Sequence, residues 1–339
     1  MQDSTPFHIL SSKRNLIRLG PTIRVKRQDV LVFFVALAYA IVLVSLPQDG
    51  FRDRANYLTY ATASDVVLQR YVSQGITSIL ANEPLWLLTN MALSRFLPPE
   101  KVIAVIIGVS AFITAWLVLR SKPQHFVWLL LFLLYPGVIK NYIIHLRQGL
   151  AIAIFLVGWF SSRRAQRWLL LGLTPFIHAS FFFVIAILLL ARFSRKTRLS
   201  ASLSLLLFVT ATAVMILSLQ WAAAGLGARQ ANEYELLSTS GASGAAFVFW
   251  SAMLMLMLLE GKVFLRQHRF EVGSMILYLV TYFFIPVTAR VFESALVLIL
   301  IAGLDLSANR GRLFKLAILA FATLQWANGN FVSSLLLES

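Results

Sequence analysis

Residues 161–198 read SSRRAQRWLLLGLTPFIHASFFFVIAILLLARFSRKTR, an apolar run with Arg163, Arg164 and Arg167 at one end and Arg192, Arg195, Lys196 and Arg198 at the other. An apolar helix of about 20 residues crosses a bilayer, and Lys and Arg in short loops stay on the cytoplasmic side. A single span between two basic clusters would put one of them on the wrong side. A hairpin of two half-helices removes the conflict: Pro175 breaks the run near its tip, His178 follows just beyond, and both clusters remain on one face. Non-helical backbone at membrane depth is tolerated where it lines a cavity, so the hairpin also predicts a cavity beside His178.

The rest of the chain agrees with a membrane setting. Of 339 residues, 59% are hydrophobic and 13% charged, with a mean hydropathy of +0.77; soluble domains carry nearly twice that share of charge. The apolar runs recur from residue 30 to residue 326 and are continuous rather than alternating, which speaks against a β-barrel. The expected fold is all-α, a polytopic integral membrane bundle of about nine to eleven transmembrane helices with a broken or re-entrant helix near His178. Residues 1–28 read as a basic cytoplasmic segment (Lys13, Arg14, Arg18, Arg24, Lys26 and Arg27), and residues 29–339 as one membrane domain. The full-length run at 30–46 directly after the basic residues reads as an uncleaved anchor. The formal net charge of +16 follows the loops, which fits attraction to anionic lipid. No aromatic-interleaved basic groove is present, so nucleic acid is not an expected partner. There is no cysteine, hence no disulfide.

With the N-terminus inside, residues 47–82 form an external polar loop. Residues 83–97 form a short apolar helix that is re-entrant or interfacial. The outer face then collects the loop at Asp53, Glu83, Arg147, a loop at 221–243 ending in the low-complexity stretch 238–246, and Arg290. A rival topology counts 83–97 and 168–190 as ordinary spans. It puts Arg120, Lys122, Arg163, Arg164 and Arg167 outside and Arg147 inside.

Polar residues at membrane depth are costly and usually face a cavity, a partner or a substrate. Arg147 reads as a helix-end anchor or as a fixed cation for a phosphate or diphosphate. Gln148 adds amide donors, and Gly149 permits close approach of a ligand or a helix. His178 reads as a satisfied core histidine or as a general base. Arg290 reads as an ion-pair partner of Glu293 or as a second phosphate-facing cation. Asp53 and Tyr57 are either solvated or suited to carbohydrate, and Glu83 before Pro84 marks a helix start or joins the site. No metal-ligand spacing, P-loop or dinucleotide-binding turn occurs, so neither a cofactor nor a metal is expected.

In order, these residues make an Asp-x-x-Asn-Tyr element (Asp53, Asn56, Tyr57), Glu83-Pro84-Leu-Trp, Arg147-Gln148-Gly149-Leu-Ala-Ile-Ala, Phe176-Ile-His178-Ala-Ser180 and a late Arg290. The series resembles the EpsG/Wzy-like family of bacterial polysaccharide polymerases over about residues 30–300. It departs from the family at His145 and in the arginines flanking Asp53. The resemblance implies a glycosyltransferase of the bacterial cytoplasmic membrane that joins polyprenyl-diphosphate-linked oligosaccharide repeat units at the outer face. Arg147, His178 and Arg290 are then the catalytic candidates, and Asp53, Asn56, Tyr57, Glu83, Gln148 and Gly149 the substrate-binding ones. The flippase and chain-length regulator of the same pathway are the implied protein partners. The alternatives are an O-antigen ligase, which uses the same donor and usually carries a larger external loop, and a flippase or transporter for a lipid-linked sugar.

Overall fold

The computed structural model describes residues 27–47, 50–225, 244–284 and 288–328, with side chains of 219–225 excepted. The basic segment 1–26, most of the loop at 221–243 and its low-complexity end lie outside the described residues. The structure is all-α, with sixteen α-helices and no strand among the described residues. Among the described residues three helices are long and apolar enough to cross a membrane: α1 (Arg27–Ser45), α5 (Pro99–Ser121) and α11 (Ala201–Gly225). A fourth crossing arises if α6 (Phe126–Leu133) and α7 (Pro136–Ile143) are counted as one span bent by 65°. Pro136 sits at that break, where its missing N–H and its ring interrupt the helical ladder. The other apolar helices are shorter, and their breaks carry the polar residues.

α1 and α5 run antiparallel, because Asp29 near the start of α1 pairs with Arg120 near the end of α5 at 3.3 Å. Small side chains let the two backbones approach: Ala36 and Ala40 on α1 and Ala111 and Ala115 on α5 are all buried. Such close packing replaces the hydrophobic driving force that helices lack inside lipid. Between them come α2 (Arg54–Ser73), α3 (Ile76–Ala81) and α4 (Pro84–Ser94). Since α1 ends where α5 begins, these three helices cap one end of the bundle, and none is long and apolar enough to span. The short helix at Glu83 is therefore non-spanning, as its length suggested. The expected loop 47–82 is corrected: most of it is helix, and Tyr57 is buried while Asp53 and Asn56 are exposed.

α8 (Leu146–Phe160) descends from this cap toward the Asp29 end. α9 (Arg164–Leu173) climbs back, a 3-10 turn at Thr174–Phe176 holds Pro175, and α10 (Phe181–Lys196) descends again. Arg192 lies over the Trp168 ring at 4.7 Å, which ties the two legs together at their basic ends. Arg269 donates to the Leu199 carbonyl and to Ser194 Oγ, fixing the second basic cluster at the same end. The hairpin thus returns both arginine clusters to one side. Its tip lifts His178 to the level of Glu83, because the proline turn stops α9 before it can cross.

The remaining helices complete the bundle: α12 (Gly244–Leu259), α13 (Lys262–Gln267), α14 (Arg269–Thr281), α15 (Thr288–Gly303) and α16 (Ala308–Ala327). α15 runs from Arg290 near the cap to the Asp29 end, where the Ile301 carbonyl accepts from Lys122 Nζ at 3.1 Å. Every described residue of α15 except Ala289 and Arg290 is buried. It is the central wall of the molecule.

Candidate active site

Three breaks in helices meet under the cap: Glu83 before α4, His145 before α8, and His178 at the hairpin tip. Glu83 has left-handed backbone angles (φ 58°, ψ 51°) immediately before Pro84. A proline disfavours helical angles in the residue before it, and a left-handed non-glycine residue costs about 1–3 kcal/mol. The structure holds it there by its carboxylate. Oε1 accepts from the Ala179 amide at 2.9 Å and meets His178 Nδ1 at 2.9 Å, and Oε2 accepts from Arg147 Nη1. The carboxylate is buried and fully engaged.

That engagement fixes His178. With Nδ1 donating to a carboxylate, Nε2 carries the lone pair. Nε2 is buried and has no hydrogen-bond partner. Arg147 lies over the Tyr60 ring at 5.4 Å from its centroid, and Tyr57 accepts from the Leu146 amide at 3.0 Å. Tyr57 also packs edge-on against Trp86. α2 is therefore clamped to the start of α8, and Arg54 adds a bond from Nη2 to the Ile143 carbonyl at 3.3 Å.

Gln148 is buried and donates to the Arg290 carbonyl at 2.7 Å and to Ser294 Oγ at 3.2 Å. Ser294 in turn meets Ser180 Oγ at 3.0 Å. Arg290 is half-buried; its guanidinium makes no hydrogen bond or ion pair among the described residues and is close enough to act electrostatically on His178 and His145. It does not pair with Glu293. That carboxylate binds Lys140 Nζ at 2.8 Å instead, because Lys140 on α7 faces it across the bundle.

The structure brings together Tyr57, Glu83, Arg147, Gln148, His178 and Arg290. It leaves Asp53 and Asn56 apart, exposed at the start of α2. At Gly149 a Cβ would stand 2.3 Å from the Asn141 carbonyl oxygen, so the glycine lets α7 and α8 touch. Two cavities bear on the site. A small void of about 10 Å³ lies beside Glu83 and Arg147, lined by Tyr60, Asn82 and Trp86. A larger one, of about 280 Å³, opens on the other face of α15. Sequence reading passed over Lys140 and Ser294 and treated Arg54 only as a flanking charge. The burial of Arg54 had one faint signal, the helical spacing that places it three residues before Tyr57.

Among the described residues no group of three or more His, Asp or Glu side chains could hold a metal ion. Chemically, the arrangement offers an oriented imidazole base, a second cation braced by a carboxylate, and one partnerless guanidinium. Compared with protein families, characterised proteins and solved structures, the chain gives no match.

Proposed function

We propose that the protein is a membrane glycosyltransferase that joins polyprenyl-diphosphate-linked repeat units into a cell-surface polysaccharide, working at the capped end of the bundle. The observation that carries this reading is the oriented, partnerless Nε2 of His178 beside the partnerless cation of Arg290. An acceptor hydroxyl would give its proton to Nε2 while its oxygen attacks the anomeric carbon of the donor. The bond from that carbon to the diphosphate oxygen breaks, and its electron pair stays with the diphosphate. Arg290 meets the charge that develops there, and fixed cations pre-placed for such charge are the largest single term in many enzymes. Glu83 keeps the imidazole in the right tautomer and steadies the imidazolium. Arg147 is a positioning residue through Glu83 and offers its remaining donors to the diphosphate.

The motif order and the one-ended placement of these groups support a single reaction site over a path through the membrane. In a bacterial cytoplasmic membrane the basic loops would face inward and the cap outward. With Nε2 buried, substrate reaches it only after a local rearrangement.

The test is the purified protein in lipid with a polyprenyl-diphosphate-linked repeat unit, read as a ladder of products. His178→Ala and Arg290→Ala are each expected to cost about 10²–10⁴ in turnover when compared at equal amounts of folded protein. Undiminished ladders from both variants would remove the mechanism. No ladder from the wild-type protein, in lipid that supports a known polymerase, would move the assignment to a ligase or a flippase.

A further inference from the structure

The cavity of about 280 Å³ lies across α15 from His178, near the small end of ligand-pocket sizes. Tyr135, Trp250, Tyr278 and Phe292 supply an aromatic wall, and Glu293 and Gln325 reach its edge. Trp250 packs edge-on against Phe292 at 4.7 Å, and Tyr278 stacks on Phe292 at 4.1 Å, so the wall is braced by its own rings. Two acceptors here have no donor among the described residues: Glu293 Oε2 and Gln325 Oε1 are both buried without a hydrogen-bond partner. Glu293 is only 9% exposed, and its other oxygen is bound to Lys140. Buried acceptors left unsatisfied are costly, so the site suits an occupant that brings donors.

We propose that this cavity is a saccharide subsite, holding one neutral or N-acetylated pyranose of the lipid-linked glycan. The apolar face of the ring lies on the aromatic wall, and its hydroxyl or amide N–H groups donate to Glu293 and Gln325. The transferase reading above supplies the identity of that glycan; the subsite itself rests on the cavity. A prenyl or acyl chain suits the aromatic wall but leaves both acceptors bare. An acidic sugar sets a second carboxylate against Glu293 Oε2. A cation finds Glu293 already neutralised by Lys140. Position also fits: Ala289, Phe292, Glu293 and Leu296 line the cavity from α15, the helix that also carries Arg290.

The experiment uses the full-length protein in nanodiscs and saturation-transfer NMR. The probes are a neutral N-acetylated disaccharide and a glucuronate-containing disaccharide of the same size. The neutral probe is expected to bind and the acidic one to bind at least about tenfold more weakly, the scale of a lost charge-assisted hydrogen bond. Gln325→Leu is expected to weaken the neutral probe about tenfold, and Ala289→Phe, at an exposed position on the rim, to abolish its signal. His178→Ala is expected to leave binding unchanged. If the wild-type protein extends lipid-linked units yet binds neither probe, or if Gln325→Leu and Ala289→Phe both bind like wild type, the subsite is overturned and the transferase reading stands. Binding that follows this pattern in a protein that makes no polymer keeps the subsite and removes the transferase. Quenching of Trp250 by brominated lipid that the neutral probe cannot relieve gives the cavity to a lipid chain and overturns the proposal.

Discussion

The two ends of the bundle both carry charge, and they use it differently. At the Asp29 end every acid has a base. Lys122 pairs with Asp305, His268 Nε2 meets Asp305 at 3.2 Å and Nδ1 faces Glu271 at 3.8 Å, and Arg310 pairs with Glu260 at 3.0 Å. These contacts tie the ends of α5, α12, α14, α15 and α16 together and, among the described residues, leave none of these acids without a base, while the surplus arginines and lysines of that end stay outside the clasp. At the capped end the Glu83 carboxylate carries two basic partners, while among the described residues the half-buried Arg290 and the buried Nε2 of His178 have none. Complete pairing is what a structural clasp needs. Incomplete pairing, held in place by buried contacts, is what a site for an anion needs.

The sharpest way to break this contrast is to remove one acid from each end. Glu83→Ala leaves Arg147 and His178 without their carboxylate and is expected to cost about 3–5 kcal/mol of stability together with all product formation. Glu260→Ala is expected to cost about 1 kcal/mol or less and to spare activity. Thermal unfolding in detergent beside the product ladder reads both; equal losses would dissolve the distinction. Gly149→Ala comes next in size. It forces α7 off α8 without touching any charge and is expected to cost about 1–3 kcal/mol, with activity falling only as far as the folded fraction does. Activity lost at full stability would return Gly149 to the substrate.

A pH series sharpens the other side. Burial would lower the pKa of His268, but hydrogen bonds to Asp305 and Glu271 and the charge of both carboxylates outweigh it and hold the imidazolium up to about 9. The folded value lies above the ordinary 6.5, so the clasp contributes fully below pH 6.5 and fades as pH rises toward 9. His268→Asn is expected to flatten the unfolding temperature across that window. A slope that persists in the variant would put the titration elsewhere. The smallest effects belong to Asp53→Ala and Asn56→Ala, both exposed, which are expected within about 0.5 kcal/mol of wild type. A large loss of turnover from either would show that the cap closes over substrate.

The hairpin was legible because two basic clusters flank one apolar run with a proline inside it, and charge and ring geometry permit few other solutions. Glu83, Arg147 and His178 were legible one at a time, since each is an expensive residue in an apolar setting. What sequence could not give was who pairs with whom. Glu293 is one helical turn from Arg290 and was weighed as its partner, yet Lys140, 153 residues away, takes it. The 47–82 segment misled for a related reason. Its polar residues looked solvated, but α2 buries Arg54 and Tyr57 on one face and exposes Asp53 and Asn56 on the other.

The reach of Glu83 also bears on how the chain acquires its site. Its bonds join positions 64 and 95 residues apart, and Gln148 reaches across a further 142 to the carbonyl of Arg290. Membrane helices insert first and associate afterwards, so no local stretch of this chain can assemble the cluster early. A nascent chain that has not yet delivered α15 can already pair Glu83 with Arg147 and His178, but it lacks Arg290 and the Ser294 hydroxyl that Gln148 reaches, so the cluster is completed only late in synthesis.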